Sequence, residues 1–323
     1  MDERERLARR FEEHRGHLRA VAYRMLGSLD EADDAVQEAW LRLSRSDVGA
    51  VENLAGWLTT VIARICLNML RARRNRPEDL AGVHVPDPII DLAPATGAGQ
   101  PEQEALLAEA VGLALITVLD TLAPAERLAF VLHDLFDLSF DEIAPMVGRS
   151  PAAARQLASR ARRRVRALDT PVPDADHAVQ RRVVDAFFAA ARGGDVTSLV
   201  AVLDPDVVLR ADGGAGRPQA SAVVRGARDV ARRALLFAQP AAVVHPVLVN
   251  GTAGVVITID GRPVSVMGFV VADERIAEIH ALVDAGRLAR LDLPARLGLP
   301  AQLDLAARLG PADGERARSP RSR

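Results

Sequence analysis

Residues 139–166, SFDEIAPMVGRSPAAARQLASRARRRVR, decide the fold of the middle of the chain. Ser139 and Glu142 have the three-residue spacing of a capping box, which predicts that a helix begins there. Gly148 supplies a tight turn, and Ser150, followed by a proline, is typical of the cap of a second helix. Two helices joined by a short glycine-containing turn predict a helix-turn-helix.

The second of these helices carries the strongest functional signal. Between Arg149 and Arg166 there are seven arginines and no acid, whereas a merely solvated helix face, which is the alternative interpretation, usually mixes both signs. Arginine and glutamine on one helical arc suit the base edges of the major groove, where Arg reads guanine and Gln reads adenine. The flanking Arg162, Arg164 and Arg166 are expected to meet phosphates. The residues predicted to face the groove are Arg155, Gln156, Ser159, Arg160 and Arg163.

The net charge of the whole chain does not indicate a nucleic-acid-binding protein. Its 323 residues include 41 basic residues, all of them arginine, against 43 acidic ones, and 49% of them are hydrophobic. That hydrophobic fraction is enough for several cores and excludes a chain that is disordered throughout. A second block, residues 64–76, contains five arginines and no acid. Two basic blocks in a nearly neutral chain predict two separate contacts with a polyanion.

The composition also bounds the compartment and the chemistry. The single Cys66 excludes internal disulfides and cysteine-based zinc clusters. His14, His17 and His133 form no metal-ligand pattern, so neither a metal nor a cofactor is predicted. No run of 18 residues is apolar throughout and the first ten residues are highly charged, so we predict a cytoplasmic protein without a membrane segment or signal peptide.

Changes in periodicity divide the chain into three predicted domains. The first two are all helical, and the third begins with helices and continues as strands, with Asn250-Gly251 and Asp260-Gly261 predicted as hairpin turns. Clusters of proline and glycine mark the boundaries, and the last segment lacks apolar periodicity. The predicted division is 1–76 helical, 77–102 flexible linker, 103–168 helix-turn-helix domain, 169–176 linker, 177–290 α+β cone domain and 291–323 disordered tail.

The first domain presents two polar surfaces on predicted helices. One helix places Asp33, Asp34, Gln37 and Glu38 opposite its apolar face, which suits docking to a basic partner protein or plain solvation. A later helix begins at Trp57 and continues to about residue 74. Its aromatic entrance and basic outer face suit opened, single-stranded DNA, although Trp57 alone is as well explained by a place in the core. The residues of this helix predicted to face outward are Arg64, Asn68, Arg71 and Arg73.

These stretches together resemble a known family. Residues 34–43 (DAVQEAWLRL) and 56–64 (GWLTTVIAR) are similar to conserved region 2 of the extracytoplasmic-function (ECF) sigma factors of RNA polymerase. Residues 122–127 (LAPAER), 140–144 (FDEIA) and 148–162 (GRSPAAARQLASRAR) look like region 4. The last string points to the sigma-J-like subgroup, which carries a fused C-terminal SnoaL-like domain, and residues 177–290 fit such a domain.

The resemblance implies a role for each surface. The acidic helix would bind the RNA polymerase core, and the helix-turn-helix would read the minus-35 promoter element. Asn53, Trp57, Arg64, Asn68 and Arg71 would capture the melted minus-10 element. The SnoaL-like domain would regulate the sigma core through a loop that contains Asp212, Gly213 and Gly214. Three family signatures appear in altered form, as residues 212–216 (DGGAG), 284–288 (DAGRL) and 85–88 (VPDP).

Two other functions remain open at the level of the sequence. One is a helix-turn-helix transcription regulator with a C-terminal domain that senses a small molecule. The other, less favoured, is a cyclase or isomerase in the third domain, for which Asp212, His245, Asp260 and His280 are the available groups. No acid–base pair at a telling spacing stands out among them, so we predict a non-enzyme whose partners are core polymerase and promoter DNA.

Overall fold

The computed structural model describes residues 3–46, 53–75, 83–91, 112–168, 171–291, 293 and 297–298. The chain begins with three helices. The second starts after Ser28, whose side chain accepts a hydrogen bond from the Glu31 backbone, while the Glu31 carboxylate binds Arg73. The third starts three residues earlier than predicted because Asn53 caps it. The bounds are α1 Glu3–Leu26, α2 Leu29–Arg45 and α3 Leu54–Arg74.

The middle of the chain is a helix-turn-helix, as predicted. Both halves of the Ser139/Glu142 capping box are present, and Gly148 ends the first helix with a φ of 66°. The first described helix of this domain begins at Leu113, while residues 104–111 lie outside the described part of the chain. The helices are α4 Leu113–Asp120, α5 Pro124–Phe130 with a π-helical continuation over Val131–Leu135, α6 Phe140–Val147 and α7 Pro151–Ala167.

The two helical domains share one hydrophobic core. Leu58 and Ile62 of α3 belong to the same buried cluster as Leu128 of α5. Arg127, which is 2% exposed, donates from Nε and Nη2 to the carbonyl oxygen of Arg24 at 3.2 and 3.0 Å. The first two domains are therefore packed on each other in this structure.

The third domain is α+β, as predicted. With β1 at Ile90–Asp91, its sheet has the strand order β1-β4-β5-β6-β7-β2-β3, and among the described strands only the β2–β7 pair is parallel. The two predicted hairpin turns are present, and a third, at Asp273-Glu274, has positive φ at both residues without a glycine. The elements are α8 His177–Gly193, α9 Val196–Val202, β2 Leu203–Asp212, β3 Ala222–Arg225, α10 Ala227–Phe237, β4 Ala242–Val249, β5 Thr252–Ile259, β6 Arg262–Ala272, β7 Arg275–Leu282 and α11 Ala285–Arg290.

The two faces of this sheet have different partners. One face packs against α8, α9 and α10, with Phe187 and Val230 in a common cluster with Phe269. The other face forms a cluster that includes Leu113 of α4. At Gly268 an added Cβ would lie 2.9 Å from a Leu113 methyl carbon, so α4 lies directly on the sheet there. The helix-turn-helix domain and the third domain are thus in contact.

The prediction of a flexible linker over 77–102 is wrong for residues 83–91. Val85, Ile89 and Ile90 are buried, and β1 (Ile90–Asp91) pairs with β4 as an edge strand of the third domain's sheet. These apolar side chains have no helical or strand periodicity of their own, so their burial depends on a surface supplied by another domain. Residues 77–82 and 92–102 lie outside the described residues.

The other predicted boundaries also need correction. Leu293, placed in the predicted tail, is fully buried in the same cluster as Leu288, so the folded domain extends past residue 290. In the predicted linker 169–176, the Asp174 carboxylate accepts hydrogen bonds from the backbones of Asp273 and Glu274 at 3.2 and 3.1 Å. Residues 299–323 are outside the described part of the chain.

Candidate nucleic-acid interface and interdomain junction

The predicted groove-facing residues all lie on the outer side of α7. Ala154, Ala158 and Ala161 face the core on the opposite side of the helix. The guanidinium carbon of Arg155 lies 5.3 Å from the centroid of the Phe140 ring, which places this side chain beside the start of α6. The residues that α7 exposes together are Arg155, Gln156, Ser159, Arg160 and Arg163.

Two arginines of the same helix have a different use. Arg162 Nε donates to the Asp134 carboxylate at 2.6 Å, and Arg164 Nη1 donates to the buried Glu126 at 3.2 Å. Sequence reasoning assigned both side chains to phosphate contacts. In the structure they bond α7 to α5 and to the π-helical turn. The sequence signal for these pairs was the presence of two acids, Glu126 and Asp134, on the preceding helical segment.

The predicted minus-10 residues are distributed along α3. The side-chain oxygen of Asn53 accepts from the Gly56 backbone at 3.0 Å, and Trp57 is half-buried against the helical core. Arg64 donates from Nη2 to the carbonyl oxygen of Pro145 at 3.0 Å, a direct contact between α3 and the helix-turn-helix. Asn68 and Arg71 are exposed, whereas Asn53 and Arg64 already have partners within the chain.

The predicted polymerase-binding residues form an exposed acidic strip on α2. Arg19 donates to both carboxylate oxygens of Asp33, at 2.7 and 3.1 Å. Glu38 accepts from Arg42 at 2.8 Å, and Asp34 and Gln37 are exposed. Exposed ion pairs of this kind contribute little to stability, so the strip is available for exchange with a basic partner surface.

The predicted regulatory loop lies at a junction of all three parts of the chain. Arg287 of α11 donates from Nη1 to Asp212 at 2.8 Å and from Nε to Asp87 at 2.7 Å. Its Nη2 also donates to the Val85 carbonyl oxygen at 2.7 Å. The Val85 backbone in turn donates to Asp212 at 3.0 Å. The three altered signatures predicted from the family resemblance therefore meet at one guanidinium.

Two glycines of this loop are required by close approaches, one to Asp284 at the start of α11 and one to the loop's own backbone. Gly214 has a φ of 59°, and a Cβ there would lie 1.7 Å from a carboxylate oxygen of Asp284. Its backbone donates to Asp212 at 2.9 Å, which orients the carboxylate toward Arg287. A Cβ at Gly213 would lie 2.1 Å from the Arg217 carbonyl oxygen. The loop accordingly closes tightly around its own carboxylate.

The first domain joins the same junction from the other side. The backbone of Leu29, at the start of α2, donates to Asp87 at 2.8 Å. The Tyr23 hydroxyl donates to the Asp87 carbonyl oxygen at 2.6 Å and accepts from Asn250 at 3.0 Å. Burial raises the pKa of Tyr23, so the hydroxyl keeps its proton and remains a donor. Sequence reasoning missed Tyr23, which carries no motif, and assigned Asn250 only to a hairpin turn.

The comparisons with known proteins follow this division of the chain. Residues 10–76 match the family Sigma-70 region 2, and residues 112–165 match Sigma-70, region 4. The ECF RNA polymerase sigma factor SigJ of Mycobacterium tuberculosis is 40% identical over 222 residues, which cover 69% of this chain and 70% of the relative. The chain belongs to the ECF RNA polymerase sigma factors.

Two further matches extend over the third domain. The probable ECF sigma factor SigI of Mycobacterium tuberculosis is 35% identical over 281 residues, covering 85% of this chain and 92% of the relative. The crystal structure of Mycobacterium tuberculosis SigJ superimposes with a TM-score of 0.69 at 33% identity, and covers 91% of this chain and 100% of that one. The α+β C-terminal domain is thus part of the architecture that this sigma factor shares with its relatives.

The four groups weighed for catalysis each have another place in the structure. Asp212 is bound at the junction, and Asp260 lies in a hairpin turn with a φ of 50°. His245 Nε2 lies 2.9 Å from the Thr258 hydroxyl, and His280 Nε2 lies 2.9 Å from Glu278. Among the described residues, no cluster of three His, Cys, Asp or Glu side chains could hold a metal ion, and no helix is long and apolar enough to cross a membrane.

Proposed function

We propose that this sigma factor is held closed by its own C-terminal domain and opens to engage polymerase and promoter DNA. Three surfaces carry its contacts with the transcription machinery. The acidic strip of α2 docks on the polymerase core, α7 reads the minus-35 element, and α3 captures the melted minus-10 element. The proposed contact residues are Asp33, Asp34, Gln37 and Glu38 for polymerase, Arg155, Gln156, Ser159, Arg160 and Arg163 for minus-35, and Asn53, Trp57, Arg64, Asn68 and Arg71 for minus-10.

The need for opening follows from the size of a promoter. Elements centred 35 and 10 base pairs upstream of the start are roughly 85 Å apart along a duplex with a rise of about 3.4 Å per base pair. Arg64 of α3, however, contacts Pro145 of α6 directly, and the two helical domains share a core. In this closed arrangement the two DNA-reading helices do not reach both elements.

The observation that carries the proposal is the set of bonds made by Arg287. It ties the segment between the two helical domains, through Asp87 and Val85, to the Asp212 loop of the third domain. Ile90 at one end of that segment and Leu113 at the other are both buried in one cluster on the sheet. While both anchors stay on the sheet, they limit how far the chain between Ile90 and Leu113 can extend.

Replacing Arg287 tests the regulation. Removing its charge leaves Asp87 and Asp212, with side chains 10% and 6% exposed, without their common partner. Removing one member of a buried ion pair typically costs about 3–5 kcal/mol of stability. Here the loss falls mainly on the closed form, in which the pair is made. We expect Arg287→Gln to raise run-off transcription by purified core polymerase several-fold over the wild type.

The matched control is Arg290→Gln on the same helix. Arg290 pairs with Asp30 at 2.7 Å, but both side chains are more than half exposed, so transcription should stay at the wild-type level. Equal transcription by wild type, Arg287→Gln and Arg290→Gln would show that the junction does not restrain the sigma core. A fall with Arg287→Gln would mean that the junction holds an active arrangement.

The polymerase contact has its own test. Asp34→Arg combined with Glu38→Arg reverses the charge of the strip without changing a residue of the hydrophobic core. We therefore expect the variant to lose binding to core polymerase in a pull-down and to keep the circular dichroism spectrum of the wild type. The control reverses Asp185 and Asp229, two exposed acids that also pair with arginines on their own helices. Retention of core polymerase by the strip variant would place the docking surface elsewhere.

The same surfaces support an adaptor rather than an enzyme, acting where polymerase acts, in the cytoplasm. The alternative, an ordinary helix-turn-helix regulator with a ligand-sensing domain, would bind its promoter without core polymerase. Band-shift assays with and without core separate the two, because the sigma factor is expected to need core for stable promoter binding.

A further inference from the structure

A cavity of about 270 Å³ lies where the helix-turn-helix domain meets the sheet. Its walls come from residues 112–115 at the start of α4, residues 171–173 between α7 and α8, and the sheet. Most of these side chains are apolar, and Thr252 donates its hydroxyl proton to the Val249 carbonyl oxygen at 3.1 Å. The cavity is on the face of the sheet opposite α8, α9 and α10, because Gly268 and His280, which line it, pair in register on that face.

One buried nitrogen atom in this wall, Nδ1 of His280, makes no hydrogen bond to the described residues. His280 is 1% exposed and its Nε2 lies 2.9 Å from the Glu278 carboxylate. Because an ionised carboxylate only accepts, Nε2 carries a proton, and in the neutral ring Nδ1 presents a lone pair. Nδ1 is buried without a hydrogen-bond partner among the described residues. An orphaned buried acceptor costs free energy, and a ligand that donates to it removes that cost.

We infer that this seam is a binding site for a compact, largely apolar molecule with one hydroxyl or N–H donor, anchored on His280 Nδ1. An apolar cavity of about 150 Å³ holds a single benzene ring, so the larger space here suits two fused rings. The apolar walls supply affinity, and the single acceptor selects molecules that carry a donor.

The position of the site gives binding a consequence for the whole chain. The ligand would contact the first turn of α4, the connection that follows α7, and the sheet of the third domain together. It would therefore stabilise the contact between region 4 and the C-terminal domain and favour the closed form. This consequence rests on the proposed function, whereas the site itself does not.

The first test uses the full chain and two probes, 2-naphthol and 2-methoxynaphthalene. The two have the same ring system, but only 2-naphthol can donate a hydrogen bond. We expect saturable one-site binding of 2-naphthol by calorimetry and at least tenfold weaker binding of 2-methoxynaphthalene. Methyl NMR should show shifts confined to the cavity, at Leu113, Val172 and Val270. Absence of saturable binding, equal affinities, or shifts elsewhere would overturn the assignment.

The second test changes the anchor. His280→Phe keeps a planar ring but removes Nδ1, and should weaken 2-naphthol binding at least tenfold while leaving 2-methoxynaphthalene unchanged. His245→Phe, on a histidine of the same sheet that does not line the cavity, should bind both probes as the wild type does. If His280→Phe fails to fold, the two-probe comparison and the NMR shifts on the wild type still decide. Unchanged 2-naphthol affinity in a folded His280→Phe variant would refute the anchor.

Run-off transcription then separates the site from its regulatory role. Saturating 2-naphthol should lower the transcription of the wild type several-fold and leave that of His280→Phe unchanged. Binding without any effect on transcription would leave the site in place and count against the closed-form regulation. The calorimetric test needs no polymerase, so the two failures are distinguishable.

Discussion

The two arginine blocks of this sigma factor look alike in sequence but differ in the structure. In α7 the arginines differ in their partners: Arg155, Arg160 and Arg163 are exposed on the side predicted to face the groove, while Arg162 and Arg164 are bonded to acids of their own domain. In α3 the block contributes to contacts between domains and helices. Arg64 bonds to the helix-turn-helix, and Arg73 bonds to Glu31 and to the Leu26 carbonyl oxygen.

This difference teaches what an arginine count can establish. A run of arginines without acids does not by itself establish a contact with a polyanion. A guanidinium has five N–H donors, which can bind carbonyl groups and carboxylates of the protein as well as phosphates. In α7 the acids that pair with the flanking arginines lie 28 and 38 residues away in the chain. The helix face, rather than the block, is therefore the unit that carries function.

The largest expected effect is on promoter recognition, and it distinguishes an arginine of α7 proposed to contact bases from one bonded within its own domain. Arg160→Ala removes an exposed groove-facing guanidinium and should cost about 1–3 kcal/mol of discrimination at one base pair of the minus-35 element. Arg164→Ala removes a bond to the buried Glu126 and should lower stability without changing base preference. Run-off transcription on a set of minus-35 variants measures the first effect and urea unfolding the second.

The distinction between Arg160 and Arg164 would be wrong if Arg164→Ala changed base preference and Arg160→Ala changed only stability. Arg163→Ala, on the exposed side, serves as a further control because it should weaken binding without lowering stability. An unchanged minus-35 preference in Arg160→Ala would remove α7 from promoter recognition. An altered preference in Arg164→Ala would show that its ion pair breaks on DNA.

Local chemistry made the helix-turn-helix and two hairpin turns predictable. The Ser139/Glu142 capping box and the positive φ of Gly148 are determined by residues within one turn of each other. Asn250-Gly251 and Asp260-Gly261 likewise occupy the left-handed conformations that their residue types favour. Asp273-Glu274 adopts the same conformation without glycine, so its sequence carried no comparable signal.

The junction and the anchored linker were beyond sequence reasoning for a different reason. Asp87 and Arg287 are 200 residues apart, and each reads alone as an ordinary exposed charge. Leu293 follows a stretch whose periodicity has ended, yet it completes a cluster on a sheet built earlier in the chain. Such residues are defined by the surface they meet, and only the assembled domains supply it.

A smaller effect sharpens the account of α3. Arg73→Gln leaves the half-buried Glu31 without its cation, and should cost about 1 kcal/mol at neutral pH, since both side chains keep about a third of their exposure. Arg74→Gln, the exposed neighbour, should be neutral. Burial already raises the pKa of Glu31, and loss of Arg73 raises it further.

The sign of the pH dependence follows from that shift. A carboxyl whose folded-state pKa lies above its unfolded value destabilises the fold once it ionises, and ceases to do so below the unfolded pKa. The difference between wild type and Arg73→Gln should therefore be present at pH 7 and shrink as the pH falls toward the usual glutamate pKa of 4.5. Urea unfolding at both pH values measures it, and a difference that grows on acidification would contradict the role given to Glu31.

The smallest effect concerns the two caps that place α6 and α7. Ser139→Ala removes a hydroxyl that accepts from the Glu142 backbone at 3.3 Å and donates to its carboxylate at 2.7 Å. Ser150→Ala removes only an acceptor for the Ala153 backbone, at 3.3 Å. Each loss of a cap should cost about 1 kcal/mol of unfolding free energy at pH 7, measured by urea unfolding.

The stability losses of the two variants should differ at acidic pH, because only the Ser139 cap includes an acid. Hydrogen bonds from the Ser139 hydroxyl and backbone hold the pKa of Glu142 below its usual value. Their stabilisation is present above the unfolded pKa and is lost as the pH falls through the folded one. The penalty of Ser139→Ala should thus decline below about pH 4.5, whereas that of Ser150→Ala should not change. Parallel pH profiles for the two variants would mean that Glu142 adds nothing to the cap, and that α6 and α7 are capped alike.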